Sequence, residues 1–296
     1  MNGFINLLKP PGMSSGAAVA VAKRLTVEKV GHAGTLDPEA AGVLPLMVGR
    51  AGRLLDYFTD KSKSYVAEIS FGGATDTQDA QGVILEPGRR IPSREEILAA
   101  LPRFTGRILQ RPPAYSALKR DGVPLYALAR KGQMVETAPR ETEIRALELG
   151  EKTGTDGYML SVDCGSGTYI RTLCHDLGQA LNAPAHMRFL LRTRHGDFRL
   201  EQAVTVEELQ AAAEAGTLAS LLLPLDAPVQ GLMRVDVPGK FVRLARNGGK
   251  LPAQIAPGLS ENQRCRLYLQ GEFLGVGHRA GELLRFDVGM AGAEAE

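Results

Sequence analysis

Gly31-His32-Ala33-Gly34-Thr35-Leu36-Asp37-Pro38-Glu39-Ala40-Ala41-Gly42 is the stretch around which the chain is organised. Its glycines bracket one carboxylate, because Asp37 is the only acid between Val30 and Pro38. A segment this rich in glycine lets the backbone approach another group closely, and Pro38 biases Asp37 away from helical dihedral angles. An aspartate before a proline is also typical of an ordinary turn. Other parts of the sequence are therefore needed to decide whether this stretch is an ordinary turn or a functional site around Asp37.

The overall composition is that of an ordinary globular protein. The chain has 296 residues, a net charge of +2 and a hydrophobic fraction of 44%, so its total charge indicates no partner. Its three cysteines form no CxxC pair, which argues against a zinc site or a disulfide framework and favours a reducing, cytoplasmic compartment. The N-terminus lacks the apolar core of a signal peptide, and no apolar run reaches the ~20 residues of a membrane span. We expect neither a metal nor a membrane partner.

The apolar pattern predicts helices and strands without regular alternation. Residues 64–71 alternate as a strand, with Tyr65, Ile69 and Phe71 on one face. The prolines of residues 110–115 predict an extended segment on the surface. Further predicted strands cover residues 4–8, 143–149 and 158–164, and predicted helices cover residues 14–25, 93–101, 124–130, 165–181 and 205–215. This mixture indicates an α+β fold with a mainly antiparallel sheet.

The composition changes around residues 224–231. Beyond this point, short strand patterns at 266–269, 273–276 and 283–288 are separated by glycines, which is typical of a small β domain. We therefore predict a large domain over residues 1–225 and a small β-rich domain over residues 232–292.

Positive charge is concentrated in two stretches. The first lies between Arg103 and Lys131 and contains Tyr115 and Tyr126; the second lies between His186 and Arg199. The second stretch holds Arg188, Arg192, Arg194 and His195, opposed only by Asp197. Such concentration predicts a face for an anionic polymer, with tyrosines that could stack on bases. The alternative is that both stretches are solvated faces.

The motifs for common chemistry are missing from the sequence. There is no GxSxG, no GxxxxGKS and no GxGxxG. What remains is the carboxylate of Asp37, with arginines and tyrosines available to surround it. A lone aspartate can act as a nucleophile toward an electrophilic carbon. It must be ionised to do so, and an arginine can hold it in that state. The pattern alone does not identify the arginine.

Six segments, in order, resemble the TruB-type tRNA pseudouridine synthases over about residues 1–205. They are Lys9-Pro10-Pro11-Gly12-Met13-Ser14-Ser15, Gly31 through Pro38, Lys63-Ser64-Tyr65, Gly72 with Thr75-Asp76-Thr77 through Gly82, Gln110 through Pro113 with Tyr115-Ser116-Ala117-Leu118-Lys119, and Gly167-Thr168-Tyr169-Ile170-Arg171. One departure concerns the two consecutive arginines that the family often has after its pocket leucine, where this chain has Leu191-Arg192. The resemblance implies a pseudouridine synthase catalytic domain flanked by helices, followed by a PUA-like RNA-binding domain.

The resemblance also implies residue roles. Asp37 would be the catalytic aspartate, Arg171 its partner, and Tyr65 the tyrosine that stacks on the target base. The implied substrate-binding residues are His32, Tyr169, Leu190, Lys9 and Lys119. Tyr65, His32 and Tyr169 could instead be packing residues. No cofactor is expected, because the implied isomerisation changes no oxidation state.

The implied reaction converts uridine-55 to pseudouridine in the T-loop of transfer RNA, after the uridine has left its stack. The expected protein is a monomer that acts on the T-stem-loop without a guide RNA. Three alternatives stay open at this point: an RNA-binding protein without activity, a base-releasing glycosylase with Glu39 as a second acid, and a guide-dependent subunit of a larger particle.

Overall fold

The structure is a computed structural model. It describes residues 1–290 except positions 114, 117, 121, 126, 127, 129–132 and 134–136, and for positions 119, 120 and 124 it describes the backbone alone. The helix predicted over residues 124–130 and the side chain of Tyr126 therefore fall largely outside the described residues.

A large sheet organises the first two thirds of the chain. The strands here are β1 (Gly3–Lys9), β2 (Val30–His32), β3 (Ala41–Val48), β4 (Lys63–Ser70), β5 (Gly73–Thr75), β6 (Ile84–Pro87), β7 (Gly106–Gln110), β8 (Lys119–Arg120), β9 (Val123–Pro124), β10 (Arg140–Thr153), β11 (Gly157–Cys164), β12 (His186–His195) and β13 (Phe198–Arg199). The main path of the sheet is β1-β3-β12-β4-β11-β10-β7, with β2 on β3 and β13 on β12. Within this sheet the β3–β12 pair is parallel and the other strand pairs are antiparallel. This confirms the predicted mainly antiparallel sheet.

Strand β4 lies in the middle of this sheet and carries Tyr65. It pairs with β11 on one side and with β12 on the other. Tyr65, Ala67 and Ile69 are buried on one face, as the alternation predicts. Because the neighbours on both sides are strands, the position of Tyr65 is fixed by two hydrogen-bonded ladders.

Three of the predicted helices begin within one residue of their predicted start, the helix predicted from residue 165 begins at Ile170, and the last helix was not predicted. They are α1 (Ser15–Thr26), α2 (Arg94–Ala100), α3 (Ile170–Ala180), α4 (Val206–Glu214) and α5 (Val242–Arg246). Single-turn and longer 3₁₀ helices cover Gly49–Tyr57, Leu101–Phe104, Leu200–Gln202, Leu218–Leu221, Ala227–Val229, Gly239–Phe241 and Ala253–Ile255. Ser14 caps α1, and Ser93 and Thr205 form complete capping boxes with Glu96 and Glu208. No described helix is long and apolar enough to cross a membrane.

Helix α3 is anchored by its apolar side. Leu173 and Leu177 are fully buried in the main core, which also takes Ala18 and Ala22 of α1. This packing fixes the N-terminal end of α3, where Arg171 lies, relative to the large sheet.

The C-terminal strands form a second sheet. They are β14 (Met233–Asp236), β15 (Leu251–Pro252), β16 (Arg264–Leu269), β17 (Glu272–Ala280) and β18 (Leu283–Gly289), and their order is β14-β16-β17-β18-β15. The three predicted strands correspond to β16, β17 and β18. The domain division at residues 225 and 232 stays a prediction.

The two sheets share an apolar cluster. The rings of Phe4 and Phe58 lie 5.8 Å apart edge to face, and the cluster around them includes Val276 and Val288 of the second sheet. Arg50 and Arg53 donate hydrogen bonds to the carbonyls of Met290 and Gly289, at 3.1 and 2.8 Å. The second sheet is therefore packed against the first through apolar and polar contacts.

Candidate active site

Asp37 lies in the loop between β2 and β3, and this loop is tied to helix α1. The buried hydroxyl of Ser15 donates to the Leu36 carbonyl and accepts from the Leu36 amide, both at 2.9 Å. A hydroxyl can make both bonds at once, so one side chain fixes the peptide groups immediately before Asp37.

Arg171 holds the Asp37 carboxylate with two nitrogens. Its Nε lies 2.9 Å from Oδ2 and its Nη2 donates to Oδ1 at 3.1 Å. The guanidinium also donates to the carbonyls of Thr77 (3.2 Å) and Tyr115 (2.9 Å) and lies 3.8 Å from the Asp79 carboxylate. The side chain of Arg171 is 6% exposed and that of Asp37 is 35% exposed. Arg171 thus fixes the Asp37 carboxylate on its buried side, and the other side of the carboxylate is exposed.

A cavity of about 320 Å³ opens in front of this ion pair. Asp37, Tyr65, Tyr169, Leu190 and Arg171 all line it, so the structure brings together five of the eight residues predicted for the site. Burial raises the pKa of Tyr65 to about 12, although the positive charge of a nearby arginine opposes this. Burial also raises the pKa of Tyr169. Both rings therefore enter the cavity as neutral phenols.

A wider groove of about 890 Å³ adjoins the cavity and shares Asp37, Arg171 and Leu190 with it. His32 lines this groove, as expected for a residue that contacts more than the target base. Burial, with a smaller contribution from the charge of Arg192, lowers the pKa of His32. The groove is large enough for several nucleotides of a folded loop beside the cavity.

The segment of residues 110–115 is only partly on the surface, where the whole of it was predicted to lie: Arg111 is exposed, but three of its neighbours are not. Gln110 is 2% exposed, and Pro112 and Pro113 are buried. The Gln110 amide donates to the Tyr169 carbonyl at 3.2 Å and accepts from the Tyr169 amide at 3.0 Å. The side chain of Gln110 therefore replaces a backbone partner and fixes the residue that precedes α3, which explains its burial.

Lys9, which was predicted to bind substrate, lines neither the cavity nor the wider groove. The side chain is 0% exposed. Its ammonium donates to the carbonyls of Pro10, Met13 and Pro38 at 2.7–2.9 Å. Lys9 thus joins the turn after β1 to the residue that follows Asp37, and it supports the loop from inside. Lys119 lies in the short strand β8, and its side chain is outside the described residues.

The burial of Lys9 leads to a testable pH dependence. Burial lowers the pKa of Lys9 from 10.5 to about 8. The unfolded chain keeps this proton up to pH 10.5 while the folded protein releases it near pH 8, so the charged form penalises folding below pH 8 and the penalty disappears by pH 10.5. The free energy of unfolding of the native protein should therefore rise, relative to Lys9→Met, by about 3 kcal/mol from pH 7 to pH 10.5.

Urea unfolding at several pH values measures this difference. Lys23→Met, at an exposed lysine on α1, is the matched control and should give a constant difference. A Lys9 difference that is flat or falls with pH would contradict the assignment of a buried ammonium.

Arg192 is a site residue that the sequence analysis missed. Its side chain is 0% exposed, and it donates to the carbonyls of Val43 (2.7 Å), Gly34 (3.0 Å) and Thr35 (3.3 Å). Burial lowers its pKa, opposed by nearby acidic groups. Gly42, at φ 115°, makes room for it: a Cβ there would lie 2.2 Å from the Arg192 carbonyl oxygen. Arg192 therefore fixes the first residues of the Asp37 loop from the interior of the protein.

The second basic stretch is not one continuous basic face, although Arg188 in it is exposed and lines the wider groove; its contact with RNA stays a prediction. Arg192 and His195 are buried. Arg194 pairs with Asp60 and Asp163, and Arg188 pairs with one acid of β4 and one in the turn between β10 and β11. The bulges of β12 between Met187 and Phe189 and between Arg192 and Arg194 change which side each residue faces, so the charges face into the protein or meet acids.

Comparisons with known proteins show which family this chain belongs to. The profile described as "TruB family pseudouridylate synthase (N terminal domain)" matches residues 22–170, and "tRNA pseudouridylate synthase B C-terminal domain" matches residues 171–230. The tRNA pseudouridine synthase B of Alkaliphilus oremlandii is 41% identical over 94% of this chain and 93% of the relative. That of Symbiobacterium thermophilum is 48% identical over 84% of this chain and 82% of the relative.

Solved structures give the same fold. An H/ACA RNP bound to a substrate RNA containing 2'-deoxyuridine contains a chain with a TM-score of 0.73 and 25% identity, covering 99% of this chain and 86% of that chain. A Cbf5-Nop10-Gar1 complex contains one with a TM-score of 0.73 and 28% identity, covering 97% and 84%. The profile matches span most of the sequence, including the loop of Asp37 and the start of α3. On these grounds the chain belongs to the TruB family of pseudouridine synthases.

Proposed function

We propose that this protein isomerises uridine-55 of transfer RNA to pseudouridine in the T-loop. The observation that carries the proposal is the Asp37–Arg171 ion pair at the mouth of a base-sized cavity that Tyr65 lines. The curated relatives carry the name tRNA pseudouridine synthase B and align along most of their length, which supports transfer RNA as the substrate.

The reaction needs a carboxylate, a closed pocket and no cofactor. It breaks the C1'–N1 bond of uridine and joins C1' to C5 of the same base, without a change of oxidation state. Asp37 would add to the sugar, add to the uracil ring or promote formation of an unsaturated sugar; each route needs an ionised carboxylate. The guanidinium of Arg171 supplies a permanent positive charge at 2.9 Å to keep it ionised.

The target uridine must be flipped out of the T-loop before Asp37 can reach it. In this proposal the base enters the cavity and stacks on Tyr65, with Leu190 and Tyr169 as the other walls. The rest of the loop lies in the wider groove, against His32. RNA loops are read by shape, stacking and base-edge contacts, which suits a groove lined by aromatic and polar side chains.

We further propose that the protein acts on transfer RNA as a monomer in the cytoplasm, without a guide RNA. The two structural neighbours come from an H/ACA RNP and a Cbf5-Nop10-Gar1 complex, but the higher identity is to proteins named tRNA pseudouridine synthase B. Its three cysteines are buried free thiols, which suits a reducing compartment.

An assay with the protein alone tests this function. Unmodified tRNA transcript and the same transcript with cytidine at position 55 would be incubated with the protein, and pseudouridine mapped by a chemical stop during reverse transcription. We expect one stop, at position 55 of the first transcript only, and no free uracil. A modified position elsewhere, released uracil, or activity only after a guide RNA is added would contradict the proposal.

A further inference from the structure

Lys63 is a lysine in the catalytic cavity that the proposed mechanism does not yet use. It lies on β4 two residues before Tyr65, and residues two apart on a strand share a face. Lys63 lines the same cavity of about 320 Å³ as Asp37 and Tyr65. Its Cε comes within 3.7 Å of the position that a Cβ on Gly34 would take, so its end lies against the Asp37 loop.

The ammonium of Lys63 has no partner among the described residues. No hydrogen bond and no ion pair of this side chain is found there. The other buried cations near the loop differ in this respect, since Lys9 and Arg192 each donate to three carbonyls and Arg171 pairs with the Asp37 carboxylate. A partly buried charge without a partner is costly. Its presence in a cavity therefore points to a ligand that supplies the partner.

The surroundings of Lys63 keep it protonated near neutral pH but close to titration. Burial lowers its pKa from 10.5 to about 8, and the charge of Arg192 on β12 adds to this effect, while Cys164 on β11 and Asp60 oppose it. Two neutral groups, His195 on β12 and Tyr65 on its own strand, complete the environment. At pH 7 the described lining of the cavity thus carries one positive charge without a hydrogen-bond or ion-pair partner.

We propose that Lys63 is a further catalytic residue, whose ammonium stabilises the negative charge that develops on the uracil when its bond to the sugar breaks. This inference rests on the proposed function. When C1'–N1 breaks, the bonding electron pair stays on the base, and its charge spreads to O2 and O4. A donor fixed in a water-poor cavity stabilises such a charge far more than water does.

The step conserves atoms and electrons. The electron pair that N1 takes from the C1'–N1 bond makes the base an anion, and C5 then uses a pair of the delocalised anion to bond to C1'. The proton at C5 is finally lost and N1 gains a proton. Lys63 donates a hydrogen bond throughout, and no net proton transfer from it is needed.

The position of Lys63 favours the base over the RNA backbone as its ligand. Lys63 lines the cavity that Tyr65 lines, whereas the wider groove, where the backbone would run, is lined by other described residues. A phosphate contact would require the lysine at the rim. Its central strand, between β11 and β12, holds it inside instead.

Single-turnover rates with saturating tRNA test the proposal. For Lys63→Met we expect the rate to fall by about 10²–10³-fold, the usual cost of a lost donor to a developing anion, with the Kd for tRNA little changed. Lys61→Met, at an exposed lysine of the same segment, is the matched control and should keep the native rate. A Lys63→Met effect on Kd alone would indicate a phosphate contact and overturn the proposal, as would an unchanged rate.

Two further measurements separate catalysis from a structural role. A fluorine at C5 makes uracil a better leaving group, so consumption of a 5-fluorouridine substrate should be less impaired by Lys63→Met than that of uridine. The native rate, divided by the rate of Lys63→Arg, should fall as pH rises through about 8, because arginine keeps its charge. Equal losses on both substrates by a folded Lys63→Met protein would contradict the proposal. A flat ratio of the native rate to the Lys63→Arg rate would also contradict it, whether or not Lys63→Met folds. Native enzyme that is inactive on uridine-55 would instead refute the proposed function.

Discussion

The Asp37→Asn protein is expected to bind unmodified tRNA as well as the native protein does and to form no detectable pseudouridine. The amide keeps the shape of the carboxylate and its oxygen can accept from one of the two Arg171 nitrogens, while Ser15 and Lys9 still hold the loop in place. It cannot act as a nucleophile or a base, and removal of a residue of this kind lowers rates by more than about 10⁴-fold. Tritium release from C5-labelled tRNA and filter binding measure the two properties.

Glu39→Gln provides the matched control, since it removes the same charge two residues away at an exposed position. It should keep the native rate, whereas a glycosylase that used Glu39 as a second acid would lose it. Normal turnover by Asp37→Asn would refute the role of Asp37. Loss of binding with loss of turnover would indicate that the substitution had only disturbed the loop.

Replacement of Arg171 should have the second largest effect. In Arg171→Met, the Asp37 carboxylate loses two donors and the one cation that contacts it among the described residues, and the carbonyls of Thr77 and Tyr115 lose a donor. Loss of the cation that fixes the carboxylate and keeps it ionised should lower the rate by about 10²–10³-fold, as the loss of one preorganised donor does in other enzymes. Arg171→Lys should recover little, because an ammonium cannot meet both carboxylate oxygens and both carbonyls.

The measurement is the single-turnover rate at saturating tRNA beside the Kd. Arg145→Met, at an arginine that is 50% exposed, is the control and should leave the rate unchanged. An Arg171→Met protein that loses affinity but keeps its rate would contradict the ion pair as a catalytic device.

The local features of the fold were predictable because their physical causes are local. The capping boxes of Ser93 and Thr205 each involve residues three positions apart, and the strand of Tyr65 follows from alternation within eight residues. The Asp37–Arg171 pair joins residues 134 positions apart. No local pattern can identify such a partner, and only the family resemblance named Arg171.

The errors arose where burial depends on register and on contacts distant in sequence. The sequence of residues 186–199 shows where the charges lie along the chain but not on which face of the strand each one lies. The bulges of β12 turn Arg192 inward. Lys9 was assigned to substrate binding by the family resemblance alone, and Gln110 was placed on the surface because of the prolines that follow it. Both are buried because carbonyls of the turn after β1 and the backbone of Tyr169 take up their hydrogen bonds. Sequence alone does not show these acceptors.

A crystal structure of the protein with a T-arm stem-loop carrying 5-fluorouridine at the target position is the most direct test of the central claim. We expect the nucleotide flipped into the cavity, its ring against Tyr65, and the Asp37 carboxylate within about 3.5 Å of C1' or of a ring carbon. A target nucleotide that stays stacked in its loop, or that lies flipped with Asp37 beyond reach of both sugar and ring, would contradict the account.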